Sequence, residues 1–247
     1  MRAVNAFFMS LSTFCALPCP VRKWDEEARP LMILTLPFVG LWIGLLWYAL
    51  SLALIWLKLP RLLAAAFCAA FIYLITGFIH LDGFMDVCDA IGSYKSLEER
   101  RTILKDSHNG SFAFISLSLL LICMFAAFAS ADAIENRILI FIPFVSRAMS
   151  GVFINCLKPL PASQYAGAYR DNIKKTHTAL LVAFVIGAVI IAYFWLGDRA
   201  GVLIAEIIAH SLAVTFAYRN LDGINGDVSG FAITLSELFA VIVMVLI

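Results

Sequence analysis

Residues 31–57 read LMILTLPFVGLWIGLLWYALSLALIWL, 27 positions without one charged side chain. As a helix rising about 1.5 Å per residue, this stretch is longer than the ~30 Å hydrocarbon core of a bilayer. Lipid offers no hydrogen-bond partners, so the backbone groups of such a run must pair within the segment, which dictates helix. Pro37, Gly40 and Gly44 give the run room to tilt or bend. Six further apolar runs follow, at 62–79, 111–130, 138–157, 178–197, 200–217 and 228–247. The expected fold class is therefore all-α: a polytopic membrane helix bundle of about seven transmembrane helices, one integral-membrane domain over 1–247.

Composition agrees. Hydrophobic residues make up 62% of the 247 and charged residues 14%, against roughly 45–50% and about 25% in soluble domains. Mean hydropathy is +0.93. These values exclude a disordered chain, a charge-driven nucleic-acid binder and a small disulfide-stapled domain. The six cysteines form no C-x-x-C pair, and most lie within apolar runs, where Cys behaves as a small hydrophobe.

The basic residues set an orientation. With seven spans, thirteen Lys and Arg fall on the side of the N-terminus and of the 80–110, 158–177 and 218–227 loops, and four on the other. The basic side is the cytoplasmic one. The expected location is the cytoplasmic (inner) membrane, N-terminus inside, with the functional face toward the cytoplasm. Residues 1–30 read as an uncleaved segment lying in the interface rather than a signal peptide: Asn5, Ser10, Ser12 and Thr13 dilute the apolar stretch, and no clean small-x-small cleavage site follows. All long loops share one face, which suits an enzyme better than a symmetric transporter.

The sharpest polar feature is His80-Leu81-Asp82-Gly83-Phe84-Met85-Asp86-Val87-Cys88-Asp89, expected to continue the second span. Asp82, Asp86 and Asp89 are spaced i, i+4, i+7, which puts three carboxylates on one helical face. Stacked carboxylates repel unless a cation neutralises them, and hard oxygen ligands suit Mg²⁺, Mn²⁺ or Ca²⁺. The bland alternative is a solvated acidic face satisfied by Arg100 or Arg101. His80, about 200° around the helix from Asp82, points away from the triad and reads as a supporting or packing residue rather than a base.

Two further segments sit on the same side. In Lys105-Asp106-Ser107-His108-Asn109-Gly110, Lys105 and Ser107 suit phosphate and Asp106 the metal; otherwise Asp106 or Ser107 caps the next helix. In Asp222-Gly223-Ile224-Asn225-Gly226-Asp227, the glycines allow close approach to a ligand and the helix start favours an anion; otherwise this is a tight turn with Asp227 as cap. Arg147, Glu206, His210 and Glu237 fall inside spans, where ionisable groups are usually paired. Glu206 and His210 are spaced to pair with each other. Arg147 either pairs with Glu237 or reaches a diphosphate.

These stretches together resemble the cobalamin synthase family, the adenosylcobinamide-GDP ribazoletransferases. Thr76-Gly77-Phe78-Ile79-His80 through Asp89 resembles its T-G-x-x-H-x-D-G-x-x-D-x-x-D-G signature. Ile103-Leu104-Lys105-Asp106-Ser107, Val145-Ser146-Arg147, Leu36-Pro37-Phe38-Val39-Gly40, and Gly223 to Gly230 followed by Glu237 resemble its other motifs, in family order. Ala16, His108, Gly167 and Thr234 stand where the family carries Arg, Arg, Arg and Glu, and Ala90, Asp222 and Asn225 where it carries Gly, Gly and Thr.

The resemblance implies attack by a ribose hydroxyl of α-ribazole, or of α-ribazole 5′-phosphate, on adenosylcobinamide-GDP. GMP leaves, and adenosylcobalamin or its 5′-phosphate forms. It implies Mg²⁺ as cofactor, held by Asp82, Asp86, Asp89 and Asp227. It implies Asp89, Lys105, Asp106 and Arg147 in the chemistry, with Asp89 either a ligand or the base. His80, Gly83, Ser107, Gly226 and Glu237 would line the substrate. The partners are those two substrates and the bilayer, with no nucleic acid; oligomer formation is left open. Two rivals remain. A CDP-alcohol phosphotransferase shares the metal logic, but Met85-Asp86 stands where it requires A-R. An ion-coupled transporter would use Glu206, His210, Arg147 and Glu237, but no internal repeat accompanies them.

Overall fold

The computed structural model describes residues 2–21, 24–106, 108–131, 136–161, 163 and 175–247. Among them the regular elements are helical. They are α1 (Arg2–Phe14), α2 (Met32–Trp56), α3 (Arg61–Ile75), α4 (Ile79–Gly92), α5 (Leu97–Ile103), α6 (Ser111–Ser130), α7 (Ile142–Cys156), α8 (Lys175–Leu196), α9 (Gly201–Leu221) and α10 (Gly226–Leu246). The all-α membrane bundle is what the apolar runs dictate.

Length and hydropathy single out fewer segments than the seven expected, because one of them, 175–221, holds two helices. Five segments are long and apolar enough to cross: 29–56, 111–130, 137–156, 175–221 and 226–246; the bent pair α3–α4 makes a sixth. The Asp-rich segment does not continue the helix before it. Gly77 (φ 60°) and Phe78 (φ 63°) are both left-handed, and the chain turns by 88° between α3 and α4. Two successive residues in that region cannot carry an α-helix through. The 47-residue segment at 175–221 turns back through a short 3-10 stretch at 197–200. Trp195 meets Phe141 and Leu181 meets Gly151, so α8 runs antiparallel to α7. His210, farther along α9, stacks on Phe153 near the other end of α7.

Packing between helices in lipid relies on close van der Waals approach, because hydrocarbon tails are as apolar as the side chains. α2 and α7 show this most clearly. A Cβ on Gly40 would collide with the Pro143 carbonyl, and one on Gly44 with that of Ile140. Gly40→Ala is expected to lower stability by about 1–3 kcal/mol, the usual penalty for overpacking. Gly187→Ala, where a Cβ meets nothing within 4 Å, should change little; thermal unfolding midpoints in detergent check the pair.

α1 docks on α2. Ser10, fully buried, donates its hydroxyl to the Met32 carbonyl at 2.9 Å. The chain then passes the bend, where the Ala16 N–H donates to the Ile75 carbonyl at 2.7 Å. One end of the bundle is tied by α5: Arg100 donates to Asn220 Oδ1 at 2.9 Å, and Arg101 to the Leu221 carbonyl at 2.9 Å. At the other end the Arg61 guanidinium reaches the Ala131 carbonyl, and Arg137 lies 5.8 Å over the Trp195 ring.

Candidate active site

The site is built on α4. Its buried face, with Leu81, Gly83, Phe84, Val87 and Ala90, packs into the bundle. The opposite face carries Asp82, exposed, and Asp86 and Asp89, half-buried. Against α4 lies the start of α10. A Cβ at Gly83 would stand 2.8 Å from Asp227 Cα and 2.9 Å from its carbonyl oxygen, so only glycine lets the two backbones approach this closely. Phe84 stacks on Phe231 at 5.8 Å, and Thr234 Oγ1 donates to the His80 carbonyl at 3.1 Å. This contact brings Asp227 beside the α4 carboxylates. Asp86 lies within electrostatic reach of Asp82, Asp227 and Asp89.

The four carboxylates are not alike. Asp89 Oδ2 accepts from the Gly110 N–H at 3.1 Å, which ties α4 to the start of α6. Asp227 Oδ2 accepts from Asn225 Nδ2 at 2.6 Å. Asn225, not Asp227, is the cap of α10, its Oδ1 accepting from the Val228 N–H at 3.0 Å. Among the described residues, Asp82 and Asp86 meet no hydrogen-bond donor and no cation. Arg100 and Arg101, the cations that a merely solvated acidic face would recruit, are spent on Asn220, Leu221 and Asp222 instead.

These are hard oxygen donors of the kind a divalent cation such as Mg²⁺ takes: two unpaired carboxylates on α4, with a third delivered by another helix. Among the described residues no three His, Cys, Asp or Glu side chains already converge on one point. Such convergence is not required of Mg²⁺, which is typically held by one or two carboxylates and keeps waters and substrate phosphates in its remaining positions.

Of the other expected residues, Lys105 is exposed and lines a cavity of about 150 Å³ with Arg101, Leu160 and Asn225. Leu160 was not singled out from the sequence, and Arg101 only as a counter-ion for the acidic face; the i, i+4 spacing of Arg101 and Lys105 is the signal for its place here. Asp106 does not join the carboxylates. Its Oδ1 faces His108 Nδ1 at 2.8 Å and accepts from the His108 N–H at 3.0 Å. These bonds hold its carboxyl below the usual range. Nor does Asp106 cap α6, whose cap is Gly110. Ser107 lies outside the described residues, as does Gly167. Gly226 opens α10 beside Asp227. Asp222 is held low chiefly by Lys158, with Arg101 assisting.

Three expected residues sit inside the bundle. His80 is 8% exposed and stacks on Phe14 of α1 at 6.0 Å, a packing position as its helical angle implies. Arg147 and Glu237, 0% and 2% exposed, form an ion pair. Glu237 also accepts from Ser146 Oγ at 2.9 Å. Of the two outcomes open for Arg147, pairing is the one observed. Glu206 and His210 do not pair as their spacing suggested: His210 Nδ1 meets Ser236 Oγ at 3.2 Å, and the Glu206 oxygens make no hydrogen bond of normal geometry among the described residues.

An all-α bundle of long apolar helices, with carboxylates gathered on one face of α4, defines a multi-pass membrane protein. More narrowly, the chain belongs to the cobalamin-5-phosphate synthase family, whose model matches residues 6–245. It is 37% identical to the adenosylcobinamide-GDP ribazoletransferase of Clostridium perfringens (strain SM101 / Type A), over 98% of this chain and 97% of that one. It is 32% identical to the enzyme of the same name from Clostridium botulinum (strain Alaska E43 / Type E3), over 95% and 94%, and 30% identical to that of Lachnoclostridium phytofermentans, over 100% and 95%. No solved structure matches this one.

Proposed function

We propose that this protein is an adenosylcobinamide-GDP ribazoletransferase that joins adenosylcobinamide-GDP to α-ribazole, or to its 5′-phosphate, and releases GMP. The observation that carries the reading is the partnerless pair Asp82 and Asp86, with Asp227 brought alongside by the contact at Gly83. Family membership and the names of the relatives support the same reaction.

Asp82, Asp86 and Asp227 would hold Mg²⁺, which when bound neutralises the donor diphosphate and the departing GMP. Gly83 fixes the separation of the helices that carry these ligands. A ribose hydroxyl of the acceptor, other than the 5′ one that the second acceptor carries phosphorylated, forms a bond to the phosphorus on the cobinamide side, and the P–O bond to GMP breaks. Asp89 takes the hydroxyl proton: one of its oxygens is held by the Gly110 N–H, which orients the other. Lys105, with Arg101 and Asn225 around the small cavity, binds the phosphate that leaves with GMP. Arg147 and Glu237 hold α7 to α10 beneath the site. The excess of Lys and Arg on this edge supports a cytoplasmic orientation at the inner membrane.

The test is turnover by purified protein in detergent, given adenosylcobinamide-GDP and either acceptor, with Mg²⁺ or with EDTA. GMP and the corrinoid product should form only with Mg²⁺. Absence of product from folded protein with both acceptors would sink the proposal, and equal rates in EDTA would remove the metal from it.

A further inference from the structure

The turn at Gly77 and Phe78 opens a groove of about 450 Å³ between the last turns of α3, the start of α4 and the middle of α6. Its walls include Leu74, Phe78, Met85 and Leu117, and Asp82 stands among them. Leu74 and Phe78 are 55% and 51% exposed. The groove is thus an apolar trough whose polar edge is one of the two partnerless carboxylates.

That mixture selects the occupant. A lipid chain would suit the walls but would lay hydrocarbon against the Asp82 carboxylate. Water would suit the carboxylate but leave the apolar walls wetted. A molecule with a flat apolar ring at one end and a hydroxylated sugar at the other satisfies both. α-Ribazole has that form: its base is a dimethylated benzimidazole, and the reacting oxygen lies on its ribose. The groove on the far side of α4, lined by Phe84, Val87, Cys88 and Ile91, faces away from the Asp82–Asp86 face and does not offer the same continuity.

We infer that the α3–α4–α6 groove is the acceptor subsite, taking the benzimidazole ring of α-ribazole and turning its attacking ribose hydroxyl toward Asp82 and Asp86. The inference rests on the reaction proposed above. It assigns base selectivity to Ala70, Leu74, Met85 and Leu117, none of which the motifs single out. Burial of a methyl group favours binding by a factor of about four. The KM of wild-type protein should therefore rise about fourfold for each methyl removed from the base, on passing from α-ribazole to the α-riboside of unsubstituted benzimidazole.

The test combines that series with two variants. Ala70→Phe adds a ring inside the groove from α3, away from the carboxylates. It should raise KM for α-ribazole at least tenfold and leave KM for adenosylcobinamide-GDP unchanged. Leu121→Ala enlarges the same groove and should flatten the wild-type preference between bases, which keeps the test decisive if Ala70→Phe fails to fold. A flat base series in wild-type protein, or unchanged selectivity in both folded variants, would overturn the subsite and leave the groove to lipid. Failure of wild-type protein to use any α-riboside would instead strike the proposed reaction itself.

Discussion

Asp86→Asn is expected to lower turnover by about 10³-fold or more and to leave the fold intact. Both halves follow from the partners Asp86 lacks. Among the described residues no donor and no cation meets its carboxylate, while Asp82, Asp89 and Asp227 all act on it with like charge. Removing one negative charge from such a set relieves repulsion, so the unfolding midpoint should hold or rise slightly. A carboxylate kept for pairing would behave in the opposite way, because its loss would strand a cation. The activity loss follows from the role proposed for the group: a ligand for the charge that stabilises the departing GMP acts chiefly in the transition state, where removal of a single electrostatic contact is worth about 10²–10³ or more. GMP release gives the rate, and detergent-phase thermal unfolding the stability. Asp222→Asn is the control. That carboxylate is 52% exposed, with Arg101 at 3.1 Å and Lys158 at 3.4 Å, so its loss should shift stability by less than about 1 kcal/mol and spare turnover. Near-normal turnover in Asp86→Asn would remove Asp86 from the site.

The contrast between Asp86 and Arg147 shows what a sequence makes legible here. Long uncharged runs such as 31–57 leave only one solution in lipid, so helix and membrane are readable without tertiary information. The i, i+4, i+7 spacing of Asp82, Asp86 and Asp89 is equally local and survives intact on α4. What the sequence left obscure depends on contacts from elsewhere. Phe78 has no local reason to be left-handed; the 88° turn exists because α4 packs along α6 and α10, and it converts an expected straight helix into two. The i, i+4 spacing of Glu206 and His210 suggested a pair, but His210 is claimed by Ser236 and Phe153 on neighbouring helices. Asp227 and Asn225 are both good helix caps, and only the approach of Gly83 explains why Asn225 caps while Asp227 stays at the carboxylate edge. Asp106 follows the same rule in reverse: its motif points to the metal, but His108 two residues on satisfies it locally.

Arg147→Met is expected to destabilise the protein by about 3–5 kcal/mol. The guanidinium is fully buried, and its partner Glu237 is nearly so. Removing the cation leaves that carboxylate in a low-dielectric interior with only Ser146 Oγ to accept from, and Glu206, also fully buried, is left with no nearby opposite charge. Glu237→Gln should be milder, because an amide oxygen can still accept from Ser146 and from the guanidinium. The double change Arg147→Met with Glu237→Leu removes both charges, and replacing a buried pair by apolar groups of similar volume is often neutral. It should therefore recover most of the loss, which chemical unfolding in mixed micelles would register as strong non-additivity between the two sites. The same double variant separates two roles for Arg147. If the pair only fastens α7 to α10, the refastened protein turns over near the wild-type rate. If the guanidinium also acts on the diphosphate, the protein folds and stays inactive, which would place Arg147 in the catalytic set as well as in the ion pair.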